Sequence, residues 1–171
     1  MSAVTRLLAA AAALAPLLSP AAATAAPAEA NSAGKATVLK SLSVLKIADL
    51  NFGGLVVSSA GTAVINPVSG ALTTTGSVVP IGTAAHPATF TATGSRNSVV
   101  IIKLPSTATT LTRVGGGGTM TVSNWTLDGK NNRKIPLNNA FNFNVGGTLN
   151  IGAGQADGTY TGTFTITVQY P

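Results

Sequence analysis

The chain has no cysteine, so neither disulfides nor thiolate chemistry contributes to its stability or function. Charge is scarce, with Asp, Glu, Lys and Arg making up 8% of 171 residues. Sparse charge together with abundant β-branched residues excludes the highly charged disordered class. Aromatic residues are only 5% of the chain, which leaves little material for stacking platforms against bases or sugars. There is one histidine, His86, with no second imidazole and no thiolate to share a metal. After Leu18, no stretch has the length or unbroken apolarity of a membrane helix.

The amino terminus has a pattern of its own. Arg6 precedes the apolar run Leu7 to Leu18, which is too short to span a bilayer. Small residues follow from Ala21 to Ala26 and include the A-x-A triplet Ala23-Thr24-Ala25. Residues 1–25 therefore read as a secretory signal peptide, and the mature protein is expected to be exported. Residues 26–34, small, polar and unpatterned, read as a flexible extension. Residues 35–171 are expected to form a single domain, long enough to bury a core without metal or cross-links. The net charge of +6 becomes +5 once Arg6 is removed, and it is spread thinly. Only Lys130, Arg133 and Lys134 cluster, in a turn; they read as a solvated hairpin tip rather than a nucleic-acid face.

What the chain does have is glycine, threonine, serine, asparagine and small apolar residues in alternating runs. The most regular run is Thr159 to Tyr170. Tyr160, Gly162, Phe164, Ile166, Val168 and Tyr170 fall on one side, and Thr159, Thr161, Thr163, Thr165, Thr167 and Gln169 on the other. This period of two predicts one long strand with a buried face and a wet face. Further strands are expected at Ala36–Ile47, Leu55–Val57, Thr62–Ile65, Leu72–Ile81, Ala88–Thr93, Thr109–Val114 and Thr119–Leu127, the last with a bulge near Asn124. Ser98–Leu104 is a continuous apolar run and is expected to be covered on both faces. Ala140–Val145 alternates, Gly146-Gly147 reads as a break, and a short strand around Leu149 and Ile151 follows. Strands at this spacing, separated by turn signals, predict an all-β sandwich or barrel with no helix beyond the signal peptide.

No pattern in the chain indicates an enzyme or a bound cofactor. His86 lies in the turn Ala84-Ala85-His86-Pro87 and reads as a surface residue. The acids after the signal peptide are Glu29, Asp49, Asp128 and Asp157, and the aspartates read as turn and cap residues. Gly115 to Gly118 lacks the Lys-Ser/Thr that follows a phosphate-cradling loop and reads as a mobile hairpin. The Gly152–Gly158 loop has one acid, too few for a calcium turn. Asn124-Trp125-Thr126 matches a glycosylation sequon, in what is expected to be a buried or half-buried strand.

Two resemblances add to this reading. Tyr170 is penultimate, Gly158 is the fourteenth residue counted from the end, and apolar residues alternate between them. This resembles the C-terminal motif of pilus subunits assembled by the periplasmic chaperone–usher route. The resemblance implies an immunoglobulin-like β-sandwich lacking one strand, which a chaperone and then a neighbouring subunit would supply. The body of the chain resembles the exported bacterial family called domain of unknown function 4402. The carrying residues are Asp49-Leu50-Asn51-Phe52-Gly53, Phe90-Thr91-Ala92-Thr93-Gly94, Leu104-Pro105, Met120-Thr121-Val122 and Val145 to Gly152 running into Gln155. That family is regarded as fimbria-like.

Taken together, the resemblances imply a fimbrial-subunit-like protein of the periplasm, cell surface or fimbrium. Its partners would be a chaperone, an usher and further copies of itself. The strand-complementation edge would comprise Gly158, Tyr160, Phe164, Ile166, Val168 and Tyr170. A donor strand needs alternating large apolar side chains, which residues 26–34 lack. Either Ala36–Ile47 is the donor, or the chain does not polymerise in this way. The alternative function is a binding module for a glycan or protein, built on a complete sandwich. An outer-membrane barrel would need an apolar outward face, whereas the last strand presents threonine there.

Overall fold

Alternating Val, Ile, Phe and Thr, punctuated by glycine and proline, folds into eleven strands in the computed structural model, which describes residues 28–171. The expected signal peptide lies outside the described residues. Residues 28–36 are exposed and carry neither helix nor strand. The compact unit is Thr37–Pro171. Its strands are β1 (Ser43–Ala48), β2 (Gly54–Ile65), β3 (Leu72–Ile81), β4 (Ala88–Thr93), β5 (Val99–Lys103) and β6 (Thr109–Arg113), followed by β7 (Thr119–Leu127), β8 (Asn132–Lys134), β9 (Ala140–Ile151), β10 (Tyr160–Thr161) and β11 (Thr167–Gln169). No helix occurs among the described residues.

β9 is the strand around which the larger sheet is built. On one side its first half pairs with β4, Phe143 opposite Phe90, and its second half with β2, Leu149 opposite Ala63. On the other side it pairs with β7, Leu149 opposite Val122. The sheet then grows outward: β1 joins β4, β3 joins β2, β6 joins β7 and β10 joins β6. All these ladders are antiparallel. A smaller sheet of order β11-β5-β8 packs over the β4 end.

The alternation in β9 puts Phe143, Val145, Leu149 and Ile151 inward and Asn142, Asn144, Thr148 and Asn150 outward. Two apolar clusters result. One gathers Ile65, Val122, Leu149 and Ile151; the other gathers Phe90, Ile102, Phe143 and Val145. Phe90 and Phe143 stack at 5.4 Å between centroids, a geometry that adds about 0.5–1.5 kcal/mol beyond area burial.

The all-β, antiparallel expectation holds, and the bulge near Asn124 is present, with the β7 register shifting between Ser123 and Thr126. Several finer expectations change. The larger sheet curves into a half-barrel whose edges stand 14 Å apart. With strands about 4.8 Å apart in a hydrogen-bonded ladder, that gap is too wide for the two edges to pair. Gly146-Gly147 does not break a strand, because β9 runs straight through it. A Cβ on Gly146 would collide with the Ile65 carbonyl oxygen and Pro67, so glycine is what lets the backbones approach. β5 is covered on one face only: Val100 and Ile102 are buried, while Val99 and Lys103 are exposed.

The C-terminal run is not one long strand. Tyr160–Thr161 belongs to the larger sheet and Thr167–Gln169 to the smaller one, and Gly162–Ile166 crosses between them in neither ladder. The alternation survives the crossing. Phe164, Ile166 and Val168 are half-buried, and Thr161, Thr163, Thr165 and Thr167 are exposed.

Candidate functional site

The gap in the half-barrel is bounded on one side by the start of this crossing segment. Gly158 has φ +136, a conformation that glycine adopts at least cost. A Cβ there would also press on the Arg113 side chain, 2.7 Å from its Nε. Arg113 uses that space to donate from Nε to the Asp157 carbonyl and from Nη1 to the Gly116 carbonyl. Two residues on, the Tyr160 hydroxyl donates to the Ala156 carbonyl at 2.7 Å and accepts from Gln155 Nε2 at 2.6 Å. The loop and the start of β10 are thereby fixed against β6.

Behind this edge lies a groove of about 970 Å³. One wall is Gln155–Phe164, and the other is Asp49–Val57 with Ile81. The floor is apolar, formed by Leu111, Met120, Trp125, Leu149 and Ile151. Phe164 closes one end, its ring 4.4 Å from that of Trp125 and edge-on to Phe90 at 6.3 Å. The Trp125 indole N–H donates to the Thr107 carbonyl at 3.3 Å, so Trp125 is a packed, half-buried floor residue and not an exposed platform.

The terminal segment has a ladder partner on one side only. β10 pairs with β6 and β11 with β5, and neither has a second neighbour. Such an edge presents free N–H and C=O groups to any strand that reaches it. Of the residues singled out from the sequence, Gly158, Tyr160 and Phe164 line the groove together. Ile166 and Val168 pack into the cluster around Phe143. Tyr170 stands apart from the groove: its hydroxyl donates to the Lys40 carbonyl and accepts from the Ser95 N–H.

Sequence reasoning missed the opposite wall. Asp49–Gly54 reads as a turn, yet Phe52 within it is only 8% exposed. Two large apolar residues, Leu50 and Phe52, in a turn that also holds Asp49, Asn51 and two glycines are the available signal. Arg113, which holds the near wall with Gln155, carries no local signature; Gln155 stands out only as the end of the Val145–Gly152 motif.

The remaining candidates do not converge. His86 is exposed and forms a two-way backbone bridge with Asn51. Asp49 pairs with Lys46 at 2.6 Å on the surface. Asp128 pairs with Arg133 and accepts the Asn144 N–H at 2.9 Å, tying the β7–β8 turn to β9. Among the described residues no three His, Asp or Glu side chains gather as a metal site would require. Gly115, Gly116 and Gly117 all have positive φ and form the β6–β7 hairpin tip. Asn124, expected in a buried or half-buried setting, is exposed, because the bulge gives it φ +48 and turns it outward.

No helix among the described residues is long and apolar enough to cross a membrane. The family described as Domain of unknown function (DUF4402) matches residues 42–170, more than half of the chain. No curated protein and no solved structure gives a match.

Proposed function

We propose, from the premise that this chain belongs to the DUF4402 family, that it is an exported structural subunit that assembles by β-strand complementation. The observation that carries this reading is the unpaired edge along Gly162–Ile166 beside an apolar groove. A strand laid there would satisfy free backbone groups and cover Leu111, Met120 and Ile151 in one step. Main-chain bonds would supply affinity, and alternate side chains in the groove would supply specificity. Left bare, the same edge and groove are an aggregation liability. A periplasmic chaperone would cover them first, and a neighbouring subunit, delivered through an usher, would replace it. The amino-terminal export signal leads to the periplasm and from there to the cell surface or a fimbrium.

The test is the behaviour of the exported chain purified alone. Size-exclusion with light scattering should show association, and limited proteolysis should cut near the groove until a partner is added. A protease-resistant monomer that stays monomeric at all concentrations overturns the proposal.

A second reading, a surface binding module, draws on the outward face. Thr75, Thr62, Asn150, Thr121 and Thr110 lie opposite one another across five neighbouring strands. Thr62 and Thr75 share a 2.6 Å hydroxyl bond, and Asn150 Nδ2 donates to Ser123 Oγ at 2.8 Å. This uncharged, pre-ordered row suits a neutral glycan. Glycan-array binding that is lost on Asn150→Ala would favour the module over the subunit.

A further inference from the structure

The positive charge of this chain is scattered in sequence and gathered in space. Lys46 pairs with Asp49 and Arg133 with Asp128, and Arg113 donates to the Asp157 and Gly116 carbonyls. Lys40, Arg96, Lys103, Lys130 and Lys134 are exposed and form no ion pair among the described residues. Three of them meet on the outward face of the smaller sheet. Along β5, Val100 and Ile102 are buried, and Val99, Ile101 and Lys103 turn the other way. Lys134 lies opposite Val99 and Asn132 opposite Ile101. Lys134 and Lys103 therefore share the outward face, with about 13 Å between their ladder positions at 3.3 Å per residue. The Ile102 N–H donates to the Asn131 carbonyl at 2.9 Å, which carries the same register on to Lys130, across from Lys103. On the other side of β5, Thr167 faces Lys103 and Gln169 faces Ile101. No Asp or Glu enters these rows. Like charges set opposite one another destabilise a sheet, and here no side chain of the face offsets them.

The charged band continues past the start of β5. The Asn97 N–H donates to the Ile135 carbonyl at 2.8 Å and the Ile135 N–H to the Ser98 carbonyl at 2.9 Å, joining the Ser95–Ser98 turn to the end of β8. Against that turn a hollow of about 580 Å³ is lined by Val38, Leu39, Lys40 and Arg96. Val38 is 94% exposed, Leu39 43% and Val99 44%. Cations thus alternate with bare aliphatic side chains, and no outward position of the small sheet carries an aromatic ring for stacking on a base or sugar. This mixture suits a bilayer surface. Headgroup phosphates meet the ammonium and guanidinium groups while aliphatic side chains enter the headgroup boundary. A soluble acidic polymer would leave Val38 and Leu39 in water.

We infer that the outward face of β11-β5-β8, together with the Val38–Arg96 hollow, docks on a bilayer surface rich in anionic phospholipid. Lys103, Lys130 and Lys134 meet the phosphates, and Val38, Leu39 and Val99 rest among the headgroups. The inference needs no strand from outside the chain and does not rest on the groove along Gly162–Ile166.

Flotation of the exported chain with vesicles tests it, because bound protein rises with the lipid and aggregated protein does not. Vesicles of phosphatidylcholine with phosphatidylglycerol should carry the protein upward, vesicles of phosphatidylcholine alone should not, and added salt should release it. Each lysine near an anionic surface contributes about fivefold in partition, so Lys103→Gln with Lys134→Gln should weaken binding about 25-fold. Lys46→Gln removes one charge beside the groove instead and should cost less than Lys103→Gln alone. Val38→Ser should weaken binding with the charge unchanged. Arg96→Gln with Lys130→Gln repeats the test if the first pair folds poorly, as judged by circular dichroism. Absence of binding to the anionic vesicles overturns the inference, as do equal losses for Lys46→Gln and Lys103→Gln. Binding indifferent to Val38→Ser, or displaced by soluble polyphosphate at matched ionic strength, also overturns it by assigning the face to a soluble polyanion. A chain that floats with anionic vesicles yet never self-associates upholds this inference while contradicting the strand-complementation reading.

Discussion

The hydroxyl of Tyr170 donates to the carbonyl of Lys40 at 2.8 Å, joining positions 130 residues apart. The same oxygen accepts the Ser95 N–H at 2.9 Å. One phenol thus ties the lead into β1, the turn after β4 and the end of β11.

Tyr170→Phe keeps the ring and removes both bonds. The exposed Lys40 carbonyl turns to water while the half-buried Ser95 N–H loses its partner, at a cost of about 0.5–1.5 kcal/mol. The urea midpoint should fall with the slope unchanged. The Ser95 amide should exchange faster with solvent.

Phe143→Ala removes a fully buried ring that stacks on Phe90 and touches Phe141. A cavity of that size at the middle of β9 should destabilise the fold by about 3–5 kcal/mol. Thermal and urea unfolding both measure the loss.

Gly146→Ala puts a methyl group against the Ile65 carbonyl and Pro67. Separation of β9 from β2 or distortion of the β2–β3 turn should follow, with a loss of about 1–3 kcal/mol, typical of overpacking. Gly34→Ala, with open space around it, should stay within about 0.5 kcal/mol of the parent. The contrast separates steric exclusion from any general intolerance of alanine.

How far the sequence reveals this fold depends on which residues are asked. The alternation from Thr159 to Tyr170 assigns most faces correctly: the threonines are exposed and Phe164, Ile166 and Val168 are half-buried, whereas Gly162 is exposed and Gln169 half-buried, against the pattern. A period of two says nothing about which sheet a residue joins. The crossing at Gly162–Ile166 is set by where β6 and β5 end up, and that is non-local information. Gly146-Gly147 reads as a break because glycine is a poor strand former in isolation. The close approach of Ile65 reverses that reading, and Ile65 is remote in sequence. The groove shows the same division. Gly158, Tyr160 and Phe164 are visible as one face of a pattern, whereas Phe52 and the opposite wall become a site only through long-range packing.

The central claim is that Gly162–Ile166 offers an open edge to a strand from outside the chain. Amide hydrogen exchange at Gly162, Thr163, Phe164, Thr165 and Ile166, followed by NMR in dilute and in self-associated protein, tests it most directly. The account predicts rapid exchange at these five amides in dilute protein and strong protection on assembly, while the β4–β9 amides stay protected throughout. Slow exchange in the dilute monomer, or rapid exchange unchanged on assembly, would contradict it.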